Sequence, residues 1–330
     1  MTTFAPPVMD EILPVDNGSI HLSPDIIYVA NEGRFTSSFY SEPLSTYAVG
    51  WRDPENIEGT LEFVAPAVET QRRFEFKKFA NAEEFLSETD DVRTPHADFK
   101  RVEFTGTSVN EKTLNKGLTV VVDLDAVPNP TLRNWEDNYT AKLMRRLYRN
   151  ELRRAITLLS AAATNTAKTW DTTAGKDPDM DVIADLITAT NSSGIRPNRV
   201  LYGDTAWQKR ALAHRAQTSA GGFASSSLTP DAVASILGVD RVGISKERYQ
   251  SAAATKSQIV NNLVLMYNAM SGAGVEDPSN IKRFVSPCIN GQRVRVFRQE
   301  LNAKLVAITV EHYSNIVVTS TLGIRQQTIS

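Results

Sequence analysis

The sequence predicts an α+β protein, and three features predict it. Residues 129–163 have the composition and periodicity of one long amphipathic helix. β-forming residues are concentrated before this helix and again near the C-terminus. Between these regions, short helical and strand-like segments alternate along the chain.

The long helix has two different sides. Asn129 is a suitable N-cap, and Pro130 is tolerated next because the first helical N–H has no partner to lose. At about 100° per residue, one side is apolar and is expected to pack on a sheet. Its residues are Leu143, Met144, Leu147, Tyr148, Ala155, Leu158 and Leu159. The opposite side carries the cationic stripe, defined as Lys142, Arg146, Arg149 and Arg153.

The cationic stripe permits two interpretations. Four cations on one side of a helix can bind phosphates, so the stripe is a candidate phosphate-binding surface. Alternatively, it is an ordinary solvated face whose charges pair with acids from neighbouring elements.

Overall composition is that of a folded protein. The 330 residues are 41% hydrophobic and 22% charged, with a net charge of −2. This charge argues against protein-wide affinity for nucleic acid but leaves room for a local basic surface. The single cysteine, Cys288, excludes an intramolecular disulfide and is expected to be a small buried side chain. No apolar run approaches the roughly 18 residues of a membrane span, so no membrane partner is expected.

The first 50 residues are studded with proline, which fixes φ and removes a hydrogen-bond donor. This pattern predicts an extended arm. Its apolar side chains are covered either by a neighbouring subunit or by the chain's own domain.

Residues 60–125 are predicted to be β-rich, and Leu61 and Phe63 are among their β formers. Phe74 and Phe76 alternate with charged residues, which is typical of a half-exposed strand. A basic start and an acidic continuation indicate a protruding hairpin whose charges are paired within the chain or meet opposite charges on another subunit. Its candidate contact residues are Arg72, Arg73, Lys77, Lys78, Glu83 and Glu84.

After a polar break at 165–176, residues 171–290 alternate between helix and strand. Asp177-Pro178 and Thr229-Pro230 each predict a helix start, and Gly238 predicts a helix end. A strand is predicted around residues 200–202, and residues 217–228 are predicted to form a loop of small residues. Nearer the C-terminus, residues 305–311 are predicted to form a strand, with which residues 316–319 could pair.

The search for catalytic chemistry finds no constellation. The four histidines are scattered, and His214 is interpreted as a surface residue of a helix. Asp177, Asp179 and Asp181 resemble the start of a calcium loop, but Val182 stands where such a loop needs glycine. A helix start explains the same carboxylates. We therefore predict no catalytic, cofactor-binding or metal-binding residues.

The order of these segments resembles the major capsid proteins of tailed bacteriophages, which have the Hong Kong ninety-seven-type fold. The resemblance is carried by VVVDLDAVPNP, DPDMDVIADL, RPNRVLYGDTAWQKRALAH and LTPDAVASILGVDRVGIS, in that order. Upstream, YAVGWRDPENIEGTLEFVAPAVETQRRFEFKKF resembles the entry to that family's extended loop.

The resemblance implies a phage major capsid fold with five consecutive parts. These are an N-terminal arm (1–55), an extended β-hairpin loop with the first peripheral-domain strands (56–128), the spine helix of the peripheral domain (129–170), an α/β axial domain (171–290), and C-terminal peripheral-domain strands (291–330).

The resemblance also implies a function. The chain would be a structural protein, not an enzyme, that self-assembles into pentamers and hexamers of an icosahedral shell around phage double-stranded DNA. Its partners would be other copies of the chain, DNA bound non-specifically, and portal, scaffolding and decoration proteins. It would assemble in the host cytoplasm and end in the virion. Two alternatives stay open: an encapsulin-like compartment shell, and an α/β enzyme with its site in residues 171–290.

Overall fold

The computed structural model describes residues 39–78, 91–93, 98–99, 101, 107–128, 134–217, 220–270, 272, 274–288 and 291–330. These residues form seven α-helices and fourteen strands, which confirms the predicted mixed class. The helices are α1 (Glu42–Gly50), α2 (Ile57–Val64), α3 (Asn134–Ala162), α4 (Pro178–Ser193), α5 (Asp204–Ala216), α6 (Ala220–Ser226) and α7 (Pro230–Leu237).

The strands follow in the same chain order. They are β1 (Ala67–Glu69), β2 (Arg73–Lys78), β3 (Thr107–Lys112), β4 (Leu114–Asp123), β5 (Thr164–Lys168), β6 (Arg199–Gly203), β7 (Arg241–Ser245), β8 (Arg248–Ala252), β9 (Thr255–Gln258), β10 (Leu263–Tyr267), β11 (Ile281–Ser286), β12 (Arg295–Glu300), β13 (Leu305–Val318) and β14 (Arg325–Ile329).

The chain divides into two compact units. The first comprises the described residues within 1–51, 113–144 and 286–314, and the second comprises those within 52–112, 145–285 and 315–330. The division falls inside α3 and inside β13.

The first unit is built on antiparallel pairing. β13 has β12 on one side and β4 on the other, with Val310 opposite both Val296 and Leu118. Helix α1 is attached to β12, because Ser41 N donates to Val296 O (3.0 Å) and the Ser45 hydroxyl accepts from Val296 N (3.0 Å).

The second unit is built on a five-stranded sheet with the order β5-β14-β10-β6-β7. β10 is antiparallel to β14 and β6, whereas β5 pairs with β14, and β7 with β6, in parallel. Helices cover both faces of this sheet, so β6 and β10 are buried and mainly apolar on both sides.

Successive side chains of β6 and β10 enter different cores, as the period of two requires. Leu201 and Leu265 pack with the second half of α3 and with α2. Val200 and Val264 pack with α4, α5 and α7. The sheet is therefore a middle layer between two sets of helices.

Helix α3 confirms the predicted long helix over 29 residues, although Asn129 and Pro130 lie outside the described residues. Its predicted apolar face is wrong at Leu158, whose exposed fraction is 38%. Leu152 and Ile156, which are not part of the predicted apolar face, are buried. The buried side of the helix is therefore rotated slightly from the predicted one toward these two residues, which pack in one core of the second unit.

Other predicted elements need correction. Leu61 and Phe63 lie in helix α2, where Ile57, Leu61 and Val64 are fully buried at helical spacing. The short apolar run was ambiguous, and tertiary packing decided in favour of a helix. Residues 42–50 of the predicted extended arm are also helical, with Ser41 as N-cap and Pro43 in the first turn.

Three more differences concern connections. Residues 165–168 of the predicted break belong to β5, and the predicted loop at 217–228 contains α6. Residues 316–318 continue β13 and so do not form a partner strand for it. β14, near the C-terminus, pairs with β5 and β10.

The helix boundaries in the second unit are confirmed. The Asp177 carboxylate accepts from the N–H groups of Asp179 and Met180 (both 3.1 Å), and the Thr229 hydroxyl accepts from Ala232 N. Gly238 ends α7 with φ of +64°, a conformation that favours glycine.

Candidate functional site

The described part of the hairpin is the β2–β3 ribbon. Phe74 and Phe76 of β2 face the core, where the Phe74 and Phe284 ring centroids are 4.2 Å apart. Arg73 and Glu75, which alternate with them, are exposed, and Lys77 is half-buried; Lys78, at the end of β2, is exposed. This alternation confirms the predicted half-exposed strand.

The charge pattern of the hairpin is only partly visible. Arg72 and Arg73 are exposed, and Arg73 lies opposite Lys112 in the register of β2 and β3. Like charges directly opposite each other are unfavourable. Glu83 and Glu84 lie outside the described residues, so the contact predicted between basic and acidic parts stays a prediction.

The cationic stripe is not uniform. Arg149 Nη2 lies 3.1 Å from Glu55 Oε2, so the alternative interpretation, pairing with a neighbouring acid, holds for this residue. Arg146 and Arg153 are exposed. The Arg153 guanidinium lies over the Tyr249 ring, 3.8 Å from its centroid. Lys142, in the first unit, is exposed, and its Nζ lies 4.8 Å from the Tyr139 ring centroid.

Beside Arg149 lies a cleft that the sequence analysis missed, called here the basic cleft. It has a volume of about 530 Å³ between α3 and the β8–β9 ribbon. Its lining residues are Glu55, Arg149, Lys246, Glu247, Arg248, Tyr249, Gln250 and Lys256. One sequence signal could have indicated it: no Asp or Glu occurs between Glu247 and Glu276.

A charged cluster is buried among α4 and α5. The Asp179 carboxylate accepts two hydrogen bonds from Arg210, whose side chain is fully buried. His214 Nε2 lies 3.3 Å from Asp179 Oδ2. The interpretation of His214 as a surface residue is therefore wrong, because the helix turns this side chain toward the carboxylate.

The three aspartates at the start of α4 have separate structural roles. Asp177 caps the helix, Asp179 pairs with Arg210, and Asp181 accepts hydrogen bonds from Lys168 (2.9 Å) and Trp170 (3.0 Å). Within the described ranges, no group of three or more His, Cys, Asp or Glu side chains is arranged to hold a metal ion. Cys288 is buried, as predicted.

A second cavity, of about 430 Å³, lies beside α2 and β6. Its buried cation is Arg199, whose pKa is lowered by burial and by the nearby charge of Arg241. Arg199 Nη1 donates to Phe63 O (2.5 Å), and the guanidinium lies 5.3 Å from the Phe63 ring centroid. These contacts tie α2 to the sheet, which is a structural role.

Among the helices that the structure describes, none combines the length and the apolar character that crossing a membrane would require.

Comparisons with known proteins identify the fold. No protein-family profile matches the chain, and no curated protein sequence matches it. Solved structures do match. A phage-related protein from Bordetella bronchiseptica RB50 is 17% identical, with a TM-score of 0.65 over 87% of this chain and 96% of that one.

Two further structures agree. The capsid structure of cyanophage P-SCSP1u gives a TM-score of 0.51 at 9% identity, covering 82% of this chain and 87% of that one. A structure of Gordonia phage Cozz gives 0.51 at 12% identity, covering 96% and 98%. The chain therefore has the fold of phage capsid proteins, as its sequence resemblance indicated.

Proposed function

We propose that this chain is a major capsid protein. Copies of it would assemble into pentamers and hexamers, and these into an icosahedral shell around phage double-stranded DNA. The observation that carries the proposal is the likeness to the capsid structure of cyanophage P-SCSP1u, which extends over 82% of this chain and 87% of its counterpart. A likeness of that extent includes both compact units.

The proposed work of the chain is done at interfaces between copies, not at a catalytic centre. In closed symmetry one modest contact is repeated in every subunit, so weak interfaces suffice for a stable shell. The β2–β3 ribbon suits such a contact, because Phe74 and Phe76 pack inward while Arg73 and Lys78 are exposed. The arm at residues 1–55 and the hairpin region at 56–128 are proposed as the segments that reach neighbouring subunits.

The remaining parts follow from the same proposal. Residues 129–170 would form the spine of a peripheral domain, completed by strands of residues 291–330, and residues 171–290 would form an axial domain. The exposed members of the cationic stripe would face packaged DNA. Portal, scaffolding and decoration proteins would be further partners, with assembly in the host cytoplasm and the virion as destination.

Purified full-length protein tests the proposal. We expect elution in the void volume of a size-exclusion column and closed particles of uniform diameter by negative-stain microscopy. Protein that stays a monomer or small oligomer over a wide range of concentration and salt would contradict the proposal and favour the enzyme alternative.

The contents of the particles separate the capsid from an encapsulin-like compartment. Particles isolated from phage-producing cells should contain nuclease-protected double-stranded DNA. Particles filled with one cargo protein and lacking DNA would instead support the compartment.

A further inference from the structure

The basic cleft carries more positive charge than its own acids neutralise. Four of its lining residues are cations and two are carboxylates. The cations come from separate segments: Arg149 from α3, Lys246 and Arg248 from the start of the ribbon, and Lys256 from β9. Lys246, Arg248 and Lys256 are exposed, but Arg248 Nη2 already lies 2.8 Å from Asp204 Oδ2, outside the cleft.

Both carboxylates are already engaged. Glu247 accepts hydrogen bonds from the hydroxyls of Thr60 (2.6 Å) and Ser245 (2.5 Å). Glu55 pairs with Arg149. The acids therefore hold the walls of the cleft together, and the two lysines keep their charge available for a ligand.

Arg149 contributes a second sign of an incomplete site. Its Nε is buried and has no hydrogen-bond partner among the described residues. A buried guanidinium N–H without an acceptor costs free energy, so the pairing with Glu55 does not fully satisfy Arg149.

The ribbon is held against the helix and has the composition of a phosphate-binding surface. The Arg153–Tyr249 stack joins α3 to β8. Between Arg248 and Lys256 the ribbon carries only small or neutral polar residues besides Tyr249. Hydroxyl and amide donors beside Lys and Arg are the groups that contact phosphate oxygens in nucleic-acid complexes.

We propose that the basic cleft binds phosphate groups of packaged DNA, without sequence preference. The inference rests on the proposed function, since the DNA of a filled shell is the polyanion that every copy would meet. It extends the DNA contact from the cationic stripe to Lys246 and Lys256.

The test measures binding of a short fluorescein-labelled DNA duplex to unassembled full-length protein. The variant is K246Q/K256Q, because both lysines are exposed and neither side chain makes a contact on which the fold depends. Each phosphate contact contributes about 0.9 to the slope of log affinity against log salt concentration. We expect the slope between about 50 and 200 mM salt to become less steep by about 2.

Two controls accompany this variant. R215Q/K304Q removes two exposed cations elsewhere, Arg215 from α5 and Lys304 from the turn before β13, and should leave the slope unchanged. K246R/K256R keeps the charge and should keep the wild-type slope. Equal thermal midpoints for all four proteins establish that each is folded.

The outcomes are distinct. An unchanged slope in K246Q/K256Q overturns the inference. If this variant, with its slope unchanged, also loses binding of a fluorescent polyglutamate peptide, the ligand of the cleft is an acidic protein segment and the inference is again overturned. If the wild-type protein forms no particles, the proposed shell function fails. If it forms particles but K246Q/K256Q has an unchanged slope, only the inference about the basic cleft fails.

Discussion

Arg210 and Asp179 form a bidentate ion pair in the interior of the second unit. Arg210 Nε lies 2.6 Å from Asp179 Oδ1, and Arg210 Nη2 lies 2.7 Å from Asp179 Oδ2. A third contact, from Arg210 Nη1 to Ser225 O (3.3 Å), attaches helix α6 to the pair. The pair therefore joins α4, α5 and α6 through one guanidinium.

Removing the carboxylate should be costly. D179N leaves a fully buried guanidinium without its counter-charge, and we expect the free energy of unfolding to fall by about 3–5 kcal/mol. Urea unfolding of unassembled protein measures the loss. The control is K304A, which breaks the exposed Lys304–Asp125 pair and should cost at most about 1 kcal/mol. Equal losses in the two variants would contradict a structural role for the buried pair.

Two leucines of helix α3 form a matched pair that tests which side of this helix is buried. Leu152 is fully buried in the core of the second unit, whereas Leu158 is 38% exposed. L152A should lower the free energy of unfolding by about 2–5 kcal/mol because it leaves a cavity. L158A should change it by much less, about 0.5 kcal/mol. The reverse order in urea unfolding would show that the helix is rotated differently.

Because of two buried tyrosines, we expect the folded protein to lose stability at alkaline pH. Burial raises the pKa of Tyr202 and of Tyr267 above the ordinary value of 10.0. As the pH rises above 10, the unfolded chain releases these protons while the folded protein retains them. Stability is therefore fully present below pH 10 and falls above it. Unfolding midpoints measured across this range should fall less steeply in Y202F and in Y267F.

The same two variants should differ near neutral pH. Tyr267 donates a hydrogen bond to Phe63 O (3.1 Å), and its loss should cost about 1 kcal/mol. The Tyr202 hydroxyl has no partner among the described residues, so Y202F should be neutral or slightly stabilising. A loss in Y202F as large as that in Y267F would show that the Tyr202 hydroxyl is satisfied.

Charge reversal on the hairpin tests its proposed contact between subunits. R72E/R73E/K77E/K78E should reduce the particle yield counted by microscopy, because the reversed charges would repel the acidic part of a neighbouring hairpin. Adding E83K/E84K to the same chain should restore part of the yield. Full yield from the first variant would remove this contact from the proposal.

Local signals in the sequence predicted several elements correctly. Asp177-Pro178, Thr229-Pro230 and Gly238 mark helix ends through hydrogen bonds and φ values that involve only a few neighbouring residues. The alternation of Phe74 and Phe76 likewise predicted β2 from period alone. The cationic stripe was found in the same way, since helical spacing places its members on one side.

Features that depend on distant partners were not predictable in this way. The sequence predicts a surface position for His214 because nothing near it in the chain reveals Asp179 on another helix. The partner of Arg149 is Glu55, 94 residues away, and the basic cleft needs α3 and the β8–β9 ribbon side by side. Leu61 and Phe63 were read as strand because a short apolar run fits either period.

Periodicity, caps and composition in this sequence thus established a long two-sided helix, the main helix boundaries and a mixed α+β class. The tertiary structure decided which leucines of that helix are buried, which cations pair with an acidic residue and which cations stay unpaired among the described residues. The physical reason is the separation of interacting residues along the chain: helix caps and hydrophobic periodicity involve residues only a few positions apart. Burial and ion pairing instead depend on side chains that come together only when remote segments pack.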